Sequence, residues 1–534
     1  MERKAEYDYI VVGAGSAGCV LANRLSASQQ HRVLLLEAGG EDRDPWIHIP
    51  LGYGKHFGNP KVNWLYTSEA DENSGNRRIA QPRGKVLGGT SSINGLVYIR
   101  GQREDYDHWR DLGNVGWGYA DVLPYFRKAE NNQRGADEYH GVGGPLCVSD
   151  PSGPHPLCEA FFDAAEECGY PRNPDFNGAT QAGFGYIQVT LKKGRRNSTA
   201  VGYLRPARDR ANLSIATGAH ATRIVFSGKR AVGVEYLQNG ARRMAFAQRE
   251  VILAAGAFNS PQLLQLSGIG PAELLRKLGI AVRADMPGIG ADLQDHYNGR
   301  LVLESTKRFT LNDVVHNYIR GAREGLRYLL FRKGFLTMGA SYAAGFVSTD
   351  PQTERPDVQI GLVLFSADKF GDGLHRFPGF TILVRLLRPQ SRGTVLLKSA
   401  DPLEPPEIRP NYLATEKDRN VLVEGMKAAQ AIVDSSAMRR YVKRAYDPPA
   451  VPGSDDEWRE YVRTRGGISY HPVSTCRMGV DRDAVVDERL RVRGFDGLRV
   501  VDASIMPALI SGNTNAPTIM IGEKGADMIL QDSA

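Results

Sequence analysis

At 534 residues, with 42% hydrophobic and 24% charged side chains, the chain has an ordinary globular balance and the length for two or three domains with large cores. Its five cysteines are odd in number and include no C-x-x-C pair, which argues against a disulfide framework or a zinc site and for a reducing compartment. The formal net charge of +7 is scattered over groups such as Lys192, Lys193, Arg195, Arg196 and Arg205, Arg208, Arg210, which read as solvated faces and not as a nucleic-acid surface.

The first residues, MERKAEYDYI, contain no apolar leader core, and no apolar run is long enough to span a bilayer. The expected location is the cytoplasm, with room for peripheral contact at the cytoplasmic face of a membrane. No metal site is expected.

Residues 7–12 (YDYIVV) read as a strand rich in aromatic and β-branched residues. Gly13-Ala14-Gly15-Ser16-Ala17-Gly18 follows, then a helical pattern (Cys19, Leu21, Ala22, Leu25) and a second strand over 32–36 that closes on Glu37-Ala38. Strand, G-x-G-x-x-G, helix, strand and acid stand in the order of a dinucleotide-binding βαβ unit. Gly13 permits the tight turn, Gly15 lets a pyrophosphate approach the backbone, and Gly18 lets helix and strand lie close. The helix start at Ser16 and Ala17 offers free N–H groups to phosphate. Glu37 stands about 20 residues after the third glycine, where a carboxylate accepts from ribose hydroxyls and repels a 2′-phosphate.

A run of small residues, RGKVLGGTSSING over 83–95, offers main chain and N–H donors to a bulky ligand. Residues 112–185 are loop-rich, with short helical stretches such as 158–168. Strands and turns fill 213–257, ending in a buried strand that runs into a helix start at 250–257. A helix continues over 261–268 with a glycine stop. Residues 300–460 differ in composition from both ends, with strands at 380–387 and 393–397 and a helix at 417–434, and read as a substrate domain. Residues 498–502 form a short strand ending in Asp502, and a final helix opens at Ala516-Pro517-Thr518, where a proline costs little. If the first and last segments lie side by side, that helix aims its free amides at the ring end of a bound cofactor. Trp46, Tyr53 and Trp64 are core or lid aromatics, with core favoured.

Together these segments resemble the glucose–methanol–choline family of flavin-dependent oxidoreductases, over essentially the whole chain. The resemblance rests on VVGAGSAGCVLANRLS…VLLLEAG, RGKVLGGTSSINGLVYIRG, GAFNSPQLLQLSGIGP, GIGADLQDH, LRPQSRGTVLLKSADP, SYHPVSTCRMG and VVDASIMPALISGNTNAPTIMIGE. It implies an α/β chain, α+β overall. A Rossmann-like FAD-binding domain would be built from 1–150, 212–300 and 465–534. A discontinuous substrate-binding domain on an antiparallel sheet would take 151–211 and 301–464. By the same resemblance Gly13, Gly15 and Gly18 hold the pyrophosphate, with Ser16 and Ala17 in the same turn, and Glu37 with Ala38 lies at the adenosine ribose. Ala221 holds the adenine. Val86, Gly88, Gly89, Asn94 and Gly95 lie beside the flavin. Asp502 and Ala503 hold the ribityl–phosphate region, and Asn513 and Thr514 lie near the pyrimidine edge.

The catalytic pair implied is His471, the base, and Asn513, with Tyr470 lining the substrate pocket. A neutral imidazole takes a hydroxyl proton near neutral pH, and a carboxamide donates to the developing alkoxide. The hydride goes to flavin N5. Family members with covalent FAD carry a histidine where this chain has Ile93, so the expected flavin is noncovalent. Choline oxidisers place a carboxylate two residues after the QDH histidine; here that residue is Asn298, which favours an uncharged alcohol. Asp295 and His296 read as structural, and Cys476 as a small buried residue. The expected activity is oxidation of an alcohol CH–OH to aldehyde or ketone, with electrons passed to a quinone or another non-NAD acceptor. An O2-using oxidase and a lyase with structural FAD are the rivals.

Overall fold

A computed structural model describes residues 6–350, 352–353, 355–369 and 371–533. Its first sheet has seven strands. Leu213–Ala216, Val33–Leu36, Tyr7–Val12 and Ala241–Leu253 run in that order, with Arg230–Gln238 and Ala219–Ser227 beyond, and Leu498–Val500 pairs with Ala241–Leu253. The long strand Ala241–Leu253 does two jobs. Its polar first half forms an antiparallel hairpin with Arg230–Gln238, and its buried Val251-Ile252-Leu253 end pairs in parallel with Tyr7–Val12 and Leu498–Val500. A parallel strand covered on both faces needs that continuous apolar run.

Helix Ser16–Leu25 leaves the first strand and packs on the last helix, Asn515–Asp532. The contact is close because Gly522 carries no side chain: a Cβ there would stand 3.1 Å from Ala17 Cα. Arg24 locks the pair through two bonds to the buried Glu523, at 2.8 and 2.7 Å. The two ends of the chain therefore lie side by side, and both helices start at the same place.

Helix Gly256–Leu266 begins where the sequence pattern runs the strand of 250–257 into a helix start, and Pro261 lies inside it. Proline cannot bond back to the carbonyl one turn before it. That carbonyl, on Ala257, instead accepts from Thr475 Oγ at 2.6 Å. Asp502 starts the same helix, accepting from Gly256 N at 2.8 Å and Ser260 Oγ at 2.6 Å.

The second sheet also has seven strands, and every pairing is antiparallel. Val442–Asp447, Tyr297–Ser305, Gly379–Leu386, Val358–Val363, Ala343–Val347 and Gly183–Tyr186 follow in order, with Gly467–Ile468 on Tyr297–Ser305. The domain boundary expected at 300/301 falls inside Tyr297–Ser305. One face packs on helix Glu416–Asp434, where Gly425 approaches Val358 and Val384. The other face carries Asn298, Gln359, Leu383 and Arg385 to the cavity between the two sheets.

Candidate active site

One elongated cavity runs from the glycine turn of the first sheet to the inner face of the second. At one end Gly13, Gly15, Ser16 and Ala17 line it with Glu37, Ala38 and Ala221. Gly13 has φ +99°, and a Cβ there would meet Ala254 O at 2.6 Å. A Cβ on Gly18 would stand 1.8 Å from Gly13 O, so Gly18 shapes the turn from behind and does not line the cavity. Glu37 is buried and accepts from Ala14 N at 2.9 Å and Gly39 N at 2.8 Å. Burial pushes its carboxyl up to about 7, against those two N–H donors.

The small-residue loop forms the middle. Gly89, Thr90, Ile93, Asn94 and Gly95 line the cavity. Gly89 has φ +52°, and a Cβ would come within 2.7 Å of Gly15 Cα. Val86 and Gly88 lie behind this wall: Val86 packs with Ile47, Val62 and Ile93, and Gly88 is pressed on Ser92. Arg196 pins the loop, donating to Asn94 Oδ1 at 2.7 Å, Asn94 O at 2.7 Å and Ser91 O at 3.1 Å. It is 1% exposed, so it does not belong to a solvated face. Ser16 Oγ donates to Asn515 Oδ1 at 2.7 Å, joining the two helix starts across the cavity floor. Asp502, Ala503 and Thr514 line the cavity as well, but both carboxylate oxygens of Asp502 are taken by the protein, through Gly256, Ser260 and Ser504.

At the far end His471 and Asn513 meet. Asn513 Nδ2 donates to His471 Nε2 at 3.0 Å. His471 Nδ1 lies 2.9 Å from His296 Nδ1, and His296 Nε2 donates to Leu387 O at 3.0 Å. The carbonyl of Leu387 only accepts, so His296 holds its proton on Nε2 and offers a lone pair at Nδ1. Burial and the Arg385 charge hold His296 down at about 3, so it stays neutral. His471 must then donate from Nδ1, which leaves its Nε2 lone pair at the cavity. Burial, Arg385, His296 and Arg83 hold His471 well below the ordinary imidazole range.

The backbone around the base is pinned. Tyr470 has φ +64°, a left-handed setting that costs a non-glycine residue about 1–3 kcal/mol. Arg83 Nη2 donates to Tyr470 O at 2.6 Å, and His471 N donates to Asp295 Oδ1 at 2.6 Å. Asp295 also accepts from His296 N at 2.8 Å and Tyr412 Oη at 2.9 Å. Burial pushes its carboxyl up to about 6. The sequence pattern marks Asp295 and His296 as structural, and their contacts show the form: they orient His471. It gives no sign of Tyr412, Arg385 or Gln359 at this site, and no role for the Arg83 side chain.

Among the aromatics, Tyr53 and Trp64 line the cavity, and Trp64 stacks on Tyr66 with ring centroids 5.6 Å apart. Trp46 is 40% exposed beneath Lys55 and is not core. Cys476 is buried and its thiol pushed well above its usual range, as suits an inert residue.

The glycine cradle fits a dinucleotide laid against main chain. Asn513 Oδ1 is buried with no partner among the described residues, which fits a donor group on a bound ring system. The profile of the GMC oxidoreductases matches residues 7–298 in its N-terminal part and 389–522 in its C-terminal part. The chain belongs to the GMC oxidoreductase family. It is 45% identical over 529 residues to an alcohol dehydrogenase [acceptor] of Pseudomonas putida, covering 98% of this chain and 96% of that one. It is 42% identical to an oxygen-dependent choline dehydrogenase of Vibrio vulnificus, covering 98% and 94%. The pyridoxine 4-oxidase structure from Mesorbium loti superposes with a TM-score of 0.88 at 32% identity, covering 97% and 98%. The cofactor of this GMC fold is FAD.

Proposed function

We propose that the protein oxidises the CH–OH group of an alcohol to an aldehyde or ketone, using noncovalently held FAD. The single observation that carries this is the placement of His471 Nε2 at the cavity, 3.0 Å from Asn513 Nδ2, with Nδ1 turned to His296. Gly13, Gly15, Ser16, Ala17, Glu37, Ala38 and Ala221 would hold the adenosine diphosphate half. Gly89, Asn94, Gly95, Asp502, Ala503 and Thr514 would hold the rest, with Gly18, Val86 and Gly88 shaping the wall. Ile93 offers no nucleophile for a covalent bond.

FAD, when bound, supplies a two-electron acceptor for the hydride of the carbinol carbon. His471 takes the hydroxyl proton at Nε2, and the resulting imidazolium keeps its Nδ1–H on His296. Asn513 Nδ2 turns from Nε2 to the developing alkoxide, which it stabilises without being able to accept the proton. Tyr470 lines the pocket and edges against Phe57, with centroids 5.6 Å apart. An anaerobic alcohol titration tests the reading: the yellow holoenzyme should bleach and later release intact FAD on acid precipitation. Persistent colour with every alcohol would contradict it.

The electrons then pass to a quinone or another acceptor that is not a nicotinamide, a choice supported by the name of the Pseudomonas relative. Peroxide formed in step with product would favour O2 instead. Helix Tyr318–Phe331 supports peripheral contact with a membrane. It exposes Tyr318 at 97%, Ile319 at 81% and Leu329 at 67%, with Leu326 and Leu330 on the same stripe. Arg320, Arg323 and Arg327 are exposed beside that stripe. Apolar face and arginine flank match an anionic lipid surface, whereas a second copy would bring like charges together. No helix of the described residues is long and apolar enough to cross a membrane.

A further inference from the structure

The second sheet brings a cation to the cavity wall. Arg385 pairs across the strands with Asn298 on one side and Gln359 on the other, so the three side chains form one row on one face. All three line the cavity. Arg385 Nε donates to Ser469 Oγ at 2.5 Å, Ser469 Oγ donates to Asn298 Oδ1 at 2.8 Å, and Arg385 Nη1 donates to Gln359 Oε1. Every one of these partners is neutral.

Two buried guanidiniums of this protein are neutralised by carboxylates, and a third, Arg196, fills its donors with the carbonyls of Ile47, Ser91 and Asn94 and the Asn94 side chain. Arg100 meets Glu130 at 2.7 Å, and Arg499 meets Glu250 at 2.7 Å and Asp532 at 2.6 Å. Arg385 has no carboxylate partner among the described residues, and its Nη2 bonds to none of them. Asp295, the acid whose charge reaches it, is saturated by His471 N, His296 N and Tyr412 Oη. A cation taken out of water without a counter-charge is costly, and unlike Arg196, whose nitrogens all find acceptors, Arg385 keeps Nη2 without an acceptor among the described residues at the cavity wall. Burial drives Arg385 down to about 10, a sign of the same cost.

We propose that Arg385 anchors an anionic group of the alcohol, and that the substrate class is a hydroxycarboxylate. This rests on the alcohol-oxidising reading above. The hydroxyl lies at His471 Nε2 and the carboxylate on the open Nη1 and Nη2 edge of Arg385, a fork that suits two carboxylate oxygens. Ser469, which holds Arg385, is two residues from His471, so hydroxyl and carboxylate are joined by a short spacer. The carbinol carbon loses a hydride to FAD and its hydroxyl loses a proton to His471; the carboxylate is a spectator. The same charge disfavours choline, whose ammonium would meet a guanidinium beside Asn298.

The test uses FAD-loaded enzyme mixed anaerobically with 4-(hydroxymethyl)benzoate, benzyl alcohol and choline. In the wild type the acid should bleach the flavin more efficiently than benzyl alcohol. In Arg385→Met that preference should fall roughly 10- to 100-fold, the range for losing a charge-assisted partner, while Arg385→Lys keeps part of it. Arg385→Glu should shift the preference toward choline. Benzoate should inhibit the wild type competitively and benzamide should not, which needs no variant to fold. An unchanged preference in Arg385→Met, an equal loss for both alcohols, or no inhibition by benzoate would overturn the proposal and leave the alcohol reading standing. A flavin that no alcohol bleaches, charged or neutral, would instead overturn that reading.

Discussion

His471 and His296 stand Nδ1 to Nδ1 at 2.9 Å, and the Leu387 carbonyl behind His296 decides which ring holds the shared proton. One carbonyl oxygen thus sets the tautomer of the base two rings away. His296→Phe keeps a ring in the core but removes the acceptor. His471 Nδ1–H is then buried without a partner, a loss of about 1–3 kcal/mol, or roughly 5- to 150-fold in rate. Flavin reduction should slow by that factor while the alcohol concentration for half-saturation changes little. Stopped-flow reduction at several alcohol concentrations separates the two. A change in half-saturation alone would show that His296 serves only the pocket shape.

Acidification should reach Asp295 before His471. Burial raises Asp295 to about 6, whereas burial and neighbouring charge hold His471 well below its usual range. The active form has Asp295 ionised and His471 neutral, so activity falls as pH drops through about 6. Asp295→Asn should be slower at neutral pH, because a carboxylate that held His471 N is gone, yet its acid limb near 6 should disappear. The pH profile of flavin reduction checks this. A limb that persists in Asp295→Asn would assign it to another group.

Membrane contact is expected to reside in helix Tyr318–Phe331. Leu329 and Leu330 are 67% and 64% exposed, so Leu329→Glu with Leu330→Glu should leave folding intact and change only the surface. Co-sedimentation should be strong with vesicles rich in phosphatidylserine, weak with neutral phosphatidylcholine, and lost in the double variant. Equal sedimentation of both proteins would place the contact elsewhere or remove it.

The nucleotide end was legible in the sequence because backbone geometry demands glycine there. Gly13 sits at φ +99° and Gly18 has no room for a Cβ, so the pattern and the structure express one constraint. The pairing of His471 with Asn513 was legible through the motifs around each. The Asn298–Arg385–Gln359 row was not, because it depends on the register of three strands far apart in the chain. Arg196 misled for a related reason. Its neighbours Lys192, Lys193 and Arg195 are exposed, and only the fold shows that alternate strand residues turn one guanidinium inward onto Asn94. The start of helix Gly256–Leu266 was legible, but the partner that tolerates Pro261 inside it was not: the missing bond is answered by Thr475, more than two hundred residues later.

The most direct measurement compares the rate of anaerobic flavin reduction by an alcohol in wild type and His471→Ala, both loaded with FAD. Removing a general base costs about 10²- to 10⁴-fold. The account predicts that His471→Ala still binds FAD, and that its flavin bleaches slower by a factor in that range. Bleaching of FAD-loaded His471→Ala at the wild-type rate would contradict it.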